Sequence, residues 1–67
     1  MTLSSLNLVA TGSSHNGFRA YLWHTGNYQY SIDIDRSANF TLYDTSFDDA
    51  VSSFRDLVGD TFNLVSI

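Results

Sequence analysis

Between Tyr28 and Asp35 apolar and polar residues alternate without a break, with Tyr28, Tyr30, Ile32 and Ile34 on one side and Gln29, Ser31, Asp33 and Asp35 on the other. A period of two held over eight residues belongs to a β-strand with one dry face and one wet face. Such a strand needs neighbours for its backbone groups and a second layer for its dry side, which is the requirement of an antiparallel sheet backed by a helix. The chain has 67 residues with which to build this. At that length a single domain hides only about 60% of its unfolded surface, so there is one core and thin stability. Two domains, a Rossmann unit and a barrel of eight strands and helices are excluded by size.

The remaining elements follow from local pattern. Leu6 to Ala10 is a short apolar stretch that reads as a strand, and Thr11 to Gly17, rich in small turn-formers and ended by glycine, reads as the longest loop. Phe18 to His24 has the aromatic content of a strand, and Phe40 to Tyr43 repeats the alternation briefly. Ser46 is placed to cap a helix, with Asp49 three residues on and Asp48 adding negative charge where the helix dipole favours it. Phe47, Ala50, Val51, Phe54, Leu57 and Val58 then fall at offsets of 0, 3, 4, 7, 10 and 11, one apolar stripe at helical spacing. Gly59 is a natural stop. Thr61 to Ile67 carries no charge and is expected to close the chain as a last strand. The predicted class is α+β: an antiparallel sheet of four or five strands with one α-helix packed on one face, in the order β-β-β-β-α-β, as a single domain spanning 1–67.

Register decides which side chains are left on the helix-free face. Thr25-Gly26-Asn27 before Tyr28 and Ser37-Ala38-Asn39 before Phe40 look alike, and Asn tolerates the left-handed conformation that ends a three-residue hairpin loop. With those loops Leu22 faces Tyr30, Ala20 faces Ile32, Phe18 faces Ile34 and Ile34 faces Leu42, an apolar set the helix can seal. A two-residue Gly26-Asn27 turn is the rival; it slips the register by one and sends Tyr21 and Trp23 inward. The first arrangement leaves Tyr21, Trp23 and Tyr43 as an aromatic strip on a wet face, rimmed by Asp33, Asp35 and Arg19. Tyr, Trp and Arg are enriched at binding hot spots, and an exposed apolar patch of about a few hundred Å² marks a partner. The plainer alternative is that these rings support neighbouring strands or are covered by the N-terminal segment.

Charge narrows the partner. Seven acids stand against three bases, for a net charge of −4; every acid is Asp, every base is Arg, and Lys and Glu are absent. That balance repels nucleic-acid backbones and anionic membranes, so neither is expected to bind directly. Asp44, Asp48, Asp49, Asp56 and Asp60 cluster in and around the helix, where capping accounts for some of them; together they could also imitate the phosphate spacing of a nucleic-acid strand for a basic protein. No apolar run approaches the roughly 18 residues of a membrane span, and the first residues lack the basic region of a signal peptide, which makes the expected location cytoplasmic.

Catalytic and metal chemistry find little support. There is no cysteine, hence no disulfide framework, thiolate nucleophile or thiolate metal site. His15 and His24 have no ligand spacing between them, and Asp33 and Asp35 share one side of a strand about 7 Å apart with no cleft implied. A Gly-x-Ser-x-Gly elbow and a glycine-rich phosphate loop are both missing. No catalytic residue, metal or cofactor is expected.

Thr45-Ser46-Phe47-Asp48-Asp49-Ala50, following a hairpin, resembles the Thr-x-x-Glu-Ala helix start of HicB-type antitoxin domains over about 20 residues. The chain departs from that pattern in having no proline in the preceding strand and no Gly-Cys turn, so the family's RNA-related role does not carry over. By size, charge and fold type it is similar to the small acidic proteins with which phages block host defence nucleases, anti-CRISPR inhibitors among them. The function expected is therefore that of a non-enzymatic binding protein occupying and inhibiting or modulating a larger basic or nucleic-acid-handling protein. The alternative is a structural or assembly subunit stable mainly as a homo-oligomer, such as a homodimer through the uncharged last strand or the aromatic face.

Overall fold

The computed structural model describes residues 7–65; the expected start of the first strand at Leu6 and the end of the last at 66–67 lie outside them. Five antiparallel strands, β1 (Asn7–Ser13), β2 (Arg19–Gly26), β3 (Gln29–Ile34), β4 (Ala38–Leu42) and β5 (Asn63–Leu64), form one sheet in the order β4-β3-β2-β1-β5. The helix α1 (Phe47–Val58) and a 3₁₀ turn (Gly59–Thr61) connect β4 to β5. The fold is α+β in the order β-β-β-β-α-β, as the alternation and the helical stripe require.

The helix forms where its caps place it. The Ser46 hydroxyl accepts from the Asp49 amide at 3.2 Å, satisfying one of the first-turn donors that have no partner inside the helix. At the other end Gly59, at φ 57°, donates its amide to the Arg55 carbonyl and turns the chain away. Ala50, Phe54 and Val58 are buried, with Val51 and Leu57 packed half-buried beside them, so the stripe faces inward; Phe47, at its start, remains 48% exposed.

Against that stripe the sheet presents Val9, Ala10, Ala20, Leu22, Tyr30, Ile32 and Ile34, all buried. Ala10, Ala20 and Ala50 are small, which lets the helix lie close over β1 and β2, its neighbours in the sheet. Consecutive burial of Val9 and Ala10 breaks the rule of alternation. A bulge explains it: Leu8 pairs with Trp23 and Ala10 with Leu22, so Val9 is an extra residue turned to the core.

The turns differ from expectation. β2 and β3 reverse through Asn27 and Tyr28, with a bulge between His24 and Gly26, and Tyr28 takes the left-handed conformation (φ 54°) in place of Asn27. Leu22 therefore meets Ile32 and not Tyr30, and Ala20 meets Ile34 and not Ile32. β3 and β4 reverse through 35–37, with Arg36 at φ 61°, and Ala38 and Asn39 belong to the strand and not to the loop. Ile34 consequently meets Ala38 and not Leu42. Both displacements are even numbers of residues, so the faces keep their assignment.

Two further stretches are reassigned. Thr11, Gly12 and Ser13 extend β1, leaving a shorter loop from Ser14 to Phe18 closed by the Ser14 amide on the Phe18 carbonyl at 2.8 Å. The segment expected as a strand from Thr61 begins as a 3₁₀ turn and pairs over Asn63–Leu64 alone, followed by the Val65 amide on the Val9 carbonyl at 2.8 Å. Thr61 fastens this return: its hydroxyl receives the Ser13 amide at 2.8 Å and donates to the Val58 carbonyl at 2.7 Å.

Candidate functional site

With the helix on one side, the other side of the sheet is open among the described residues, and the pairings fix what it carries. One row runs Asn63, Thr11, Tyr21, Asp33, Asn39 across all five strands; the next runs Trp23, Ser31, Thr41 across β2, β3 and β4. Tyr21 and Trp23, two apart on β2, lie on the same face with ring centroids 6.4 Å apart and planes tilted by 41°. Both are half-buried, each supported by neighbouring strands while keeping part of its surface in solvent.

The two rings separate two shallow recesses of opposite character. On the Trp23 side the lining comes from Thr25, Ser31, Asp33 and Asn39, with the exposed Asp33 carboxylate as its charge. On the Tyr21 side it comes from Thr11, Ser13, Arg19, Thr61 and Asn63, with the exposed Arg19 guanidinium as its charge. An aromatic ridge thus stands between an acidic and a basic recess, both bordered by hydroxyls and amides. The surface can dock an apolar side chain on the ridge and orient it by charge of both signs.

Of the residues expected at the site, the fold brings together Arg19, Tyr21, Trp23 and Asp33. Asp35 lies just beyond, exposed in the turn after β3, where its amide donates to the Arg19 carbonyl at 2.8 Å. Tyr43 does not join the strip: β4 ends at Leu42, and Tyr43 stands 69% exposed at the entry to the helix, its carbonyl accepting from the Thr45 hydroxyl. Thr11, Thr61 and Asn63, which sequence reasoning did not place at the site, reach it because β1 runs on past Ala10 and the chain returns beside it after the helix.

The five other aspartates lie elsewhere. Asp48 and Asp49 occupy the first turn of α1, Asp56 lies two turns further along it and Asp60 in the 3₁₀ turn that follows, all exposed. Asp56 and Asp60 flank a recess shared with Arg55, whose guanidinium lies 5.9 Å from the Phe62 ring. Asp44, exposed at φ 52°, marks the turn before the helix. This acidic surface is on the helix layer, away from the Tyr21–Trp23 ridge.

The histidines are also apart. His15 is exposed in the β1–β2 loop, while His24 faces the helix side and stacks on Tyr30 at 4.7 Å. Among the described residues no three potential ligands gather into a metal-binding group, and no helix is long and apolar enough to cross a membrane. Compared with protein-family models, curated proteins and solved structures, the chain matches none.

Proposed function

We propose that this protein is a non-enzymatic binding module that acts in the cytoplasm by docking its helix-free sheet face on a larger protein with a basic surface. The observation that carries the reading is the Tyr21–Trp23 pair, held on an open face between the Asp33 and Arg19 recesses. Half-buried aromatic rings with a polar rim have the make-up of an interface centre. The net charge of −4 favours encounter with a basic groove, and inhibition or modulation of a nucleic-acid-handling protein is the sharpest form of this reading.

Tyr21→Ala and Trp23→Ala together are expected to weaken partner capture by about 100-fold or more, since truncation of a hot-spot ring costs about 2 kcal/mol or more. The measurement is recovery of the partner by immobilised wild type and double variant, with circular dichroism showing that the variant remains folded. Unchanged recovery would count against the ridge. If recovery instead fails on changing Asp48, Asp49, Asp56 and Asp60 to Asn while the rings are dispensable, the acidic helix surface becomes the contact by phosphate mimicry.

A further inference from the structure

The two edges of the sheet are unequal. β5 pairs over two residues, whereas β4 offers a regular five-residue edge, Ala38-Asn39-Phe40-Thr41-Leu42. That edge lacks three of the usual protections against pairing with another chain: it carries no charge and no proline, and its pairing with β3 shows no bulge. Because the helix lies over β1 and β2, the helix side near β4 is thinly covered, with Phe40 49% exposed.

We propose that β4 pairs antiparallel with β4 of a second copy about a two-fold axis through Phe40, joining two five-stranded sheets into one. This goes beyond the docking role of the opposite face and leaves the Tyr21–Trp23 ridge outside the contact, although Asn39, which borders the Trp23 recess, takes part in it. The register selects the occupant. Centred on Phe40, Asn39 opposes Thr41 and Ala38 opposes Leu42, and the end of β4 that carries Arg36 in one copy comes beside the end that carries Asp44 in the other. A shift of two residues, the smallest that keeps the two-fold axis and both helices on one face, sets the Arg36 end against Leu42 in one direction and against Ser46 in the other. Only the Phe40-centred register of these joins unlike charges at both ends.

Arg36 and Asp44 also delimit the strand. Both are non-glycine residues in the left-handed region, at φ 61° and 52°, so the chain turns away from the sheet at each. An edge with a neutral centre, one positive end and one negative end is self-complementary under a two-fold axis, which is the requirement of an isologous dimer. A basic partner would find no acidic side chain along β4 itself.

Sedimentation velocity on the full chain, from low to high micromolar concentration, tests this. The wild type is expected to reach twice its 7.5 kDa mass. Phe40→Lys sets two ammonium groups against each other on the axis and is expected to sediment as a monomer; its circular dichroism should stay native because Phe40 is half-exposed already. Arg36→Asp creates two like-charge pairs and is expected to weaken association by about tenfold, and Arg36→Asp with Asp44→Arg should restore it. A wild type that remains monomeric throughout, a Phe40→Lys protein that still dimerises, or a charge swap that does not restore association would each overturn the proposal. Partner capture through Tyr21 and Trp23 should survive in Phe40→Lys, so failure of one proposal is distinct from failure of the other.

Discussion

Phe54→Ala is expected to leave little folded protein at room temperature. Phe54 is fully buried at the centre of the helix stripe between Ala50 and Val58, and its ring meets Phe62 edge-on at 6.2 Å. Removing a buried phenyl ring costs about 3–5 kcal/mol, part from lost transfer free energy and part from the cavity left behind. A domain of this length has roughly 3–10 kcal/mol in total, at about 0.05–0.15 kcal/mol per residue. The change therefore removes a third or more of the stability and, towards the lower end of that range, all of it. Urea unfolding followed by circular dichroism measures the loss; a drop below about 1 kcal/mol would mean that the helix does not seat on the sheet through this residue.

The second large effect is expected at a residue with no side chain. Gly12 lies within β1, opposite Ala20, and a Cβ placed on it would come within 2.7–2.8 Å of all three side-chain carbons of Val58. Val58 is itself buried and held by the helix end, so it has little room to yield. Gly12→Ala is expected to cost about 1–3 kcal/mol by overpacking, although alanine is ordinarily the better residue in a strand. The double variant Gly12→Ala, Val58→Gly, which removes all three carbons, separates this from a loss of backbone freedom: relief of the clash should make the pair less destabilising than the sum of the single changes. Strict additivity would show that the close approach of the helix end to β1 is not what requires glycine.

Gly12 also shows where sequence reading stops. Glycine beside Thr11 and Ser13 has the look of a turn, and the reason it is a packing position sits on Val58, far along the chain. The turns differ from local preference for a related reason. Residue preference assigns left-handed conformations to Asn27 and Asn39, yet Tyr28 and Arg36 adopt them. Thr45 donates its amide to the Tyr28 carbonyl at 2.9 Å, a tertiary hydrogen bond on that very turn that no local preference encodes.

The faces are legible all the same, because alternation carries them independently of the loops. Tyr21, Trp23 and Asp33 stand opposite in parity to Leu22 and Ile32, and any even displacement leaves them on the helix-free side. The helix was legible for a different reason: its cap, stripe and stop are all local, and Ser46, Phe54 and Gly59 do what their positions require. The place of Tyr43 is not legible locally because β4 ends where Asp44 turns away, nor is the Arg19 recess, because Thr61 and Asn63 reach it only through the return after the helix.

The aromatic ridge lies outside the core, and the single tryptophan makes this measurable. Acrylamide is the suitable quencher, since a neutral molecule is not repelled by a chain of net charge −4. Trp23 emission in the folded protein should be quenched substantially, at a fraction of the unfolded value befitting a half-buried ring, and should become protected when the partner is added. Blue-shifted emission that resists acrylamide in the free folded protein would place the indole inside and contradict the account.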